Sequence, residues 1–224
     1  MAVERREKRF RAEDIEGIRL ELDCVDFMVQ ETEEDTEHIL IAAEIDDADG
    51  FECSVQKGML YILYRWKKRI FRHAANKARI TLRIPKGKAY SVFALKIGAG
   101  NADLKHVALH CKTLNLEAGA GNIEIGAVRE SQSVFMKIGA GHVSVESAQA
   151  SDVRVECGVG ECQLGLEGRE NDYNYEISCG IGDIRINDSR MKQIGAGELR
   201  KNTQALGTVK LSCGVGEIVI HTER

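Results

Sequence analysis

The sequence predicts an all-β protein in which a parallel β-solenoid of roughly 20-residue coils is capped by an N-terminal β-sandwich-like section. Three observations lead to this prediction. A Gly-x-Gly motif recurs through the C-terminal half, apolar and polar residues alternate on both sides of each motif, and the N-terminal third alternates without the motif. We expect the whole chain to form one continuous folding unit.

The motif spans five residues, with glycine at its second and fourth positions. The second glycine falls at 100, 121, 141, 160, 182 and 216, so the first four intervals are 21, 20, 19 and 22 residues. A period near twenty residues is typical of a repeat architecture. The glycines predicted to form structural corners are Gly98, Gly100, Gly119, Gly121, Gly139, Gly141, Gly158, Gly160, Gly180, Gly182, Gly214 and Gly216.

The apolar positions change parity across each motif. Leu95 and Ile97 are odd-numbered, whereas Ala102 and Leu104 are even-numbered. Strict alternation is typical of half-buried strands, and its parity changes only where the backbone bends or bulges. Glycine suits such a corner because it tolerates positive φ and lets neighbouring backbones approach closely. A phosphate-binding loop is disfavoured, since a strand and not a helix follows each motif.

The elements divide the chain into three parts. Residues 1–11 hold five Arg or Lys and two Glu, which predicts a flexible start or an edge strand. Residues 12–90 read as an antiparallel-type section of short strands that ends at Pro85-Lys86-Gly87. Residues 91–224 carry the solenoid repeats. Because 188–193 do not alternate, we interpret 187–207, which contains an extra motif copy, as a loop or hairpin inserted on the last full coil.

Composition narrows the function classes. An apolar content of 43% permits a sizeable core, and a net charge of −4 gives no electrostatic case for nucleic acid or an anionic membrane. The N-terminal residues are mostly charged and lack the apolar region of a secretory signal peptide. No apolar stretch approaches the roughly eighteen residues of a membrane span. The odd number of cysteines, seven, favours reduced and buried thiols. We therefore expect a cytoplasmic protein, or an exported one if a leader has been removed.

Charge is segregated in the N-terminal part. Residues 12–52 hold sixteen acidic residues and one basic residue, whereas residues 57–88 hold eleven Arg or Lys and no acid. The densest basic run contains Trp66, Lys67, Lys68 and Arg69, which are candidate surface contacts. Basic residues beside aromatics occur in single-stranded nucleic-acid grooves. We favour the alternative that the two stretches form neighbouring strands of opposite charge.

The Ile84-Pro85-Lys86-Gly87 junction and the repeated motif Cys-Gly-Val-Gly-Glu-x-x-Ile with its variants resemble a bacterial family of β-strand repeat proteins of unknown function. Its members bear the label "putative adhesin", and the resemblance runs from about Ile15 to Ile220. It implies a single-chain β-solenoid continuous with a β-sandwich-like section and supplies no catalytic residues. Many members carry an N-terminal leader or membrane segment and look exported.

Three cysteines hold the same motif position. Cys157, Cys179 and Cys213 are predicted to lie in three consecutive coils, stacked at steps of roughly 5 Å. A thiol column can bind a soft metal, but zinc sites usually contain a Cys-x-x-Cys pair. The equivalent positions in earlier coils are the apolar Ile97, Ala118 and Ile138. We therefore favour a core ladder, and we expect neither metal nor cofactor.

A second column follows the glycines, where Glu161, Asp183 and Glu217 are candidate surface contacts. The earlier members are Asn101, Asn122 and His142. Carboxyl groups on adjacent coils would approach the separation of about 5–5.5 Å found in retaining glycosidases. The alternative is that these are the first solvent-facing residues after a corner. Stacked carboxylates repel one another unless cations intervene.

The favoured function is a non-enzymatic structural or interaction module of the "putative adhesin" type. Its expected partner is a protein or cell-envelope component, with homo-oligomers possible through the solenoid ends or edges. The first alternative is a self-assembling bacterial scaffold, because an open solenoid end presents unpaired backbone groups. The second is a carbohydrate-active β-helix enzyme.

Overall fold

A computed structural model describes residues 3–66, 78–187, 189–190, 195–200, 202 and 204–223. These residues form strands and three short 3-10 turns, which confirms the all-β prediction. The strands are β1 (Glu4–Arg11), β2 (Gly17–Thr32), β3 (His38–Ile45), β4 (Phe51–Gln56), β5 (Met59–Tyr64), β6 (Arg79–Pro85), β7 (Ala89–Ala118), β8 (Asn122–Ile138), β9 (His142–Cys157), β10 (Glu161–Arg169), β11 (Tyr173–Cys179), β12 (Asp183–Ile186), β13 (Ser189–Arg190), β14 (Gly195–Arg200), β15 (Gly207–Cys213) and β16 (Glu217–Glu223). Within the described residues, no helix is long and apolar enough to cross a bilayer.

The strands belong to one long, mostly parallel sheet. Its main path runs β1-β3-β6-β2-β7-β8-β9-β10-β16-β12-β13. One continuous core of buried side chains extends from Ala12 to Ile220. Strand β7 begins at Ala89 and pairs with β2, so the sheet and the core both continue across the predicted boundary at residue 90.

Pairing in the N-terminal section is mixed, which corrects the antiparallel-type prediction. The first half of β2 lies between β5 and β7, its second half lies between β6 and β7, and all three pairings are parallel. Antiparallel pairing joins β1 to β3, β3 to β6 and β4 to β5. The buried positions of β2 change parity around Cys24, as at Leu22 and Val25. The alternating runs 18–22 and 25–29 therefore belong to one bent strand.

The repeats lie side by side in register. Asn101 pairs with Asn122, Asn122 with His142, and His142 with Glu161. A Cβ atom added to any of the twelve corner glycines would lie 2.0–2.8 Å from a backbone oxygen of the neighbouring strand or corner. Only Gly100 among them has a positive φ, of 111°. Close approach of backbones, and not left-handed geometry, is therefore what the corners require.

The last repeat is out of sequence order, and this corrects the prediction of consecutive coils. Strand β15 lies between β9 and β11, because Cys213 pairs with Cys157 on one side and Cys179 on the other. Strand β16 likewise lies between β10 and β12. The interval of 34 residues between Gly182 and Gly216 contains the additional strands β13 and β14, through which the chain passes along the outer side of β12 and β11 before it enters β15.

The segment predicted as an insertion, 187–207, contains two strands along the outer side of the 173–186 repeat. Strand β13 is antiparallel to β12, and β14 is antiparallel to β11. Residues 195–198 of the extra Gly-x-Gly copy thus belong to an outer strand, with Gly195 opposite Cys179. Residues 188, 191–194, 201 and 203 of the segment lie outside the described residues.

Candidate interaction surface

A polar ladder follows the corner glycines along one side of the sheet. Its members are, in spatial order, Asn101, Asn122, His142, Glu161, Glu217 and Asp183. The ladder begins with amide contacts, since Asn122 Nδ2 donates to Asn101 Oδ1 at 3.1 Å and Asn101 Nδ2 donates to Asp26 Oδ1 at 3.3 Å. It ends in three carboxylates on neighbouring strands.

All three carboxylates have partners within the protein. His142 Nδ1 lies 3.4 Å from Glu161 Oε2, and Gln163 Nε2 donates to Glu161 Oε1 at 2.8 Å. Arg185 Nη2 lies 3.2 Å from Glu217 Oε1. Glu217 also separates Glu161 from Asp183, so the prediction that those two residues sit on adjacent coils is wrong.

Asp183 is the most enclosed of the three, with 15% of its side chain exposed. Its two oxygens accept from Arg185 Nε at 3.0 Å and Arg190 Nε at 2.7 Å. Burial alone would raise the pKa of Asp183, but the hydrogen bonds and charges of Arg190 and Arg185 outweigh it and hold that pKa below its usual range. A glycosidase acid needs a raised pKa, so Asp183 is unsuited to that role.

An apolar ridge, formed by Val159, Val215 and Ile181, lies beside the carboxylates. These are the middle residues of three Gly-x-Gly corners, and their side chains are 66%, 55% and 78% exposed, respectively. Backbone bonds hold them side by side, because Val215 N donates to Gly158 O and Ile181 N donates to Gly214 O. Successive members are therefore one strand spacing apart, roughly 4.8 Å.

The ridge is restricted to the last three corners. The middle residues of the three earlier corners are Ala99, Ala120 and Ala140. Eight large apolar side chains are exposed among the described residues, and three of them form this one ridge. Exposed apolar residues that occur singly need no explanation, whereas a contiguous group with a polar rim is typical of an interaction site.

The cysteine column lies beneath these corners. Cys157 Sγ donates to Gly160 O and Cys213 Sγ donates to Gly216 O, each at 3.0 Å, and all three column members are buried. Burial raises the pKa of Cys157 and raises that of Cys213 to about 12. No group of three potential metal ligands is found in the described part of the chain. The column contributes to the core.

The acidic and basic stretches of the N-terminal section meet in the sheet. Arg79 on β6 lies opposite Asp26 on β2 and Glu44 on β3. Trp66 is half-buried against the core, and its backbone N–H donates to Asp23 Oδ2 at 3.2 Å. Opposite charges of the two stretches thus lie on neighbouring strands, and Lys86 pairs with Glu33. Lys67, Lys68 and Arg69 lie outside the described residues.

A cleft of about 540 Å³ opens near the ends of β2 and β6. Part of its polar lining is already engaged within the protein. Arg83 Nε donates to Gln30 Oε1 at 3.2 Å, and Asp35 pairs with Arg9 and His38. The ridge and ladder therefore remain the more distinctive surface.

Sequence reasoning found the three carboxylates but missed their partners and the ridge. Gln163 and Arg185 each lie two residues after a ladder member, on the same face of a strand, so the alternation could have identified them. The change from Ala99, Ala120 and Ala140 to larger residues was also visible. Arg190 could not be found in this way, because its contact depends on the reversal into β13.

The model of the Toastrack DUF4097 family matches residues 15–222 of the chain. The crystal structure of a "putative cell adhesion protein" from Clostridium sporogenes is similar, with a TM-score of 0.55, 14% identity and coverage of 99% of this chain and 100% of that one. The structure of a "putative adhesin" from Bacteroides fragilis has a TM-score of 0.41 and 12% identity, with coverage of 98% of this chain and 97% of that one. The structure of a "putative lipid binding protein" from Parabacteroides distasonis has a TM-score of 0.37 and 12% identity, with coverage of 98% of this chain and 97% of that one. No curated protein matches the sequence.

Proposed function

The chain belongs to the Toastrack DUF4097 family, and from that membership we propose that it is a non-enzymatic interaction module. In this proposal, residues 91–224 form a β-solenoid of about 20-residue coils. Residues 12–90 cap it as part of the same folding unit. The name of the Clostridium relative motivates the adhesin-type role, and the shared fold is consistent with it.

The observation that carries the proposal is the apolar ridge. Val159, Val215 and Ile181 are stacked on adjacent strands and are each more than half exposed. Leaving them in water is unfavourable, and no requirement of the corner accounts for their size, since alanine occupies the same position at 99, 120 and 140. A partner that covers the ridge removes this apolar surface from water.

The chemistry of the flank favours a protein partner. An apolar centre with a charged, hydrogen-bonded rim is the usual composition of a protein–protein interface. The three carboxylates beside the ridge and the two arginines that pair with them carry no net positive charge, so the flank offers no electrostatic attraction to the anionic headgroups of a membrane surface. We therefore assign the ridge to a protein of the cell envelope and treat binding to lipid as a contrary outcome.

The two alternative functions are less well supported. Addition of another parallel coil to the 173–186 repeat is hindered because β13 and β14 already pair antiparallel with β12 and β11. Carbohydrate cleavage needs one carboxyl group with a raised pKa. The arginine pairing of Asp183 lowers its pKa, and Arg185 also engages Glu217.

Site-specific photo-crosslinking in the cells that make the protein tests the proposal. A photoreactive amino acid at Val215 is expected to capture one discrete protein, whereas the same group at Val55, a 37% exposed valine on β4, serves as the matched control. Ile181→Asp in the Val215 background is expected to lower the yield about tenfold, because loss of a central apolar contact costs about 1.4 kcal/mol or more. Equal capture from Val55, an unchanged yield with Ile181→Asp, or capture of lipid alone would contradict the proposal.

A further inference from the structure

The C-terminal segment 207–223, here called the insert, fills a slot between two earlier repeats. One wall of the slot is β9 with β10, and the other is β11 with β12. The insert follows both walls in the sequence, yet it has parallel neighbours on both sides. The slot is therefore defined by residues that all precede its occupant in the sequence.

A short connection spans the slot. The walls are joined by the 3-10 turn Glu170–Asp172, which follows β10 and precedes β11. Because one strand lies between them, the walls stand two spacings apart, about 10 Å. The turn is held locally, since Arg169 N donates to Asp172 Oδ2 at 2.7 Å and Tyr173 OH donates to Glu167 O at 2.5 Å. These contacts do not involve the insert.

At its corner, the insert forms backbone hydrogen bonds with both walls. On one side, Gly214 N donates to Cys157 O at 2.8 Å and Glu217 N donates to Gly160 O at 3.0 Å. On the other side, Gly180 N donates to Cys213 O at 2.8 Å. Its inward side chains Val209, Leu211, Ile218 and Ile220 are buried. An empty slot would leave these wall groups unpaired and would expose the core.

The slot selects for a repeat of this chain. A Cβ atom on Gly214 would lie 2.7 Å from Gly158 O, and one on Gly216 would lie 2.0 Å from Gly160 O. A segment without glycine at both positions therefore does not fit. The corner of the insert, 213–217, has the same five residues as the wall corner at 157–161, Cys-Gly-Val-Gly-Glu.

The ends of the insert are fastened by side-chain amides. Asn187 Nδ2 donates to Thr222 Oγ1 and Thr222 N donates to Asn187 Oδ1, both at 2.9 Å. At the entry, Asn202 N donates to Asn174 Oδ1 at 2.6 Å. Between this contact and β15, Leu206 is 76% exposed. The insert is thus held at both ends and joined to the body through a surface connection.

From this arrangement we propose that the slot also accepts the insert of a second copy of the chain, giving a strand-exchanged dimer. Every contact between insert and walls is between groups that a second copy supplies identically, so exchange preserves them all. Only the surface connection near Leu206 must change its path. This inference depends on strand order and not on the proposed role of the ridge.

Cross-linking between two full-length single variants tests the exchange. Arg154 and Lys210 are in-register neighbours on β9 and β15, and both are solvent-facing. Arg154→Cys protein and Lys210→Cys protein are mixed, unfolded, refolded together at high concentration, and treated with a short bis-maleimide. With random choice of partner, about half of the exchanged dimers carry one chain of each kind, and those dimers yield a cross-chain product.

Two controls make each outcome decisive. Arg5→Cys with Lys210→Cys is the matched mixture, because Arg5 is exposed on β1, which lies six strand pairings from β9 along the sheet, and exchange does not bring those residues together. The Arg154→Cys/Lys210→Cys double variant, refolded at low concentration, is expected to cross-link within one chain. If it does so while the mixed single variants give no more product than the control mixture, the slot does not accept a second copy. If the double variant fails to cross-link, the slot itself is misassigned.

Discussion

Replacement of Gly160 by alanine tests the packing of the corners most directly. The added Cβ would lie 2.1 Å from Gly141 O and 2.7 Å from Ile138 Cγ2. The oxygen belongs to the backbone of the adjacent repeat, so no side-chain rotation relieves the contact. The same oxygen accepts a hydrogen bond from Glu161 N at 2.9 Å. Relief of the overlap requires the two strands to separate by about 1 Å, which weakens this bond.

The expected loss of stability is the sum of three effects. Overpacking costs about 1–3 kcal/mol, the weakened hydrogen bond costs about 1 kcal/mol, and the less flexible unfolded chain returns about 0.5–1 kcal/mol. The net destabilisation is about 1–3.5 kcal/mol, with a midpoint slightly above 2 kcal/mol. For a chain of this length, the midpoint corresponds to a decrease in Tm of about 4–9 °C.

Gly87→Ala is the matched control. Nothing lies within 4 Å of its added Cβ, but its φ of +69° costs an alanine about 1–2 kcal/mol before the same unfolded-state gain. The net cost is about 0–1.5 kcal/mol, and its midpoint corresponds to a decrease in Tm of about 2–3 °C. Thermal unfolding of both variants is followed by circular dichroism. A Gly160→Ala protein as stable as the Gly87→Ala protein would refute the close-approach explanation of the motif.

Three further predictions concern the C-terminal repeats. Asn187→Ala should lower the unfolding free energy by about 2 kcal/mol, because it loses both hydrogen bonds to Thr222 and places alanine at a φ of +51°. Asn187→Gly loses the same two bonds but tolerates this φ, so its loss in a denaturant titration should be smaller. Asp183→Asn should cost about 1 kcal/mol at pH 7. The difference from wild type should shrink as pH falls from about 4 through the lowered pKa of Asp183, because protonation removes the same charge; a difference that stays constant as pH falls below 4 would contradict this. The Cys213 thiol ionises at lower pH in the unfolded chain than in the folded one, so wild type should lose stability as pH rises from about 8.5 towards 12. Cys213→Ala lacks this thiol, and its unfolding free energy should fall less over the same pH range.

The local pattern of the sequence was enough to predict the strands and corners. Alternation identified which side chains of β7 to β12 face the core, because burial follows parity in a half-buried strand. The period near twenty residues indicated which residues become neighbours, as Asn101, Asn122, His142 and Glu161 do. These features depend only on contacts between successive repeats.

The position of the insert could not be predicted from the same pattern. Cys157, Cys179 and Cys213 have similar surroundings in sequence, so periodicity gives no reason to place Cys213 in the middle. That order depends on a reversal of the chain through β13 and β14. The carboxylate neighbours were misassigned for the same reason, since Glu217 and not Asp183 lies beside Glu161.

The insert links the two proposals. It supplies Val215, the middle residue of the ridge, and Glu217, the middle carboxylate of the ladder. Without the insert, Val159 and Ile181 would stand about 10 Å apart, with a gap between them. A strand-exchanged dimer would have two complete ridges, each built from both chains, and would bind a partner with two sites more tightly than a monomer does. Occupancy of the slot therefore determines both whether the interaction surface exists and how many copies of it one assembly presents.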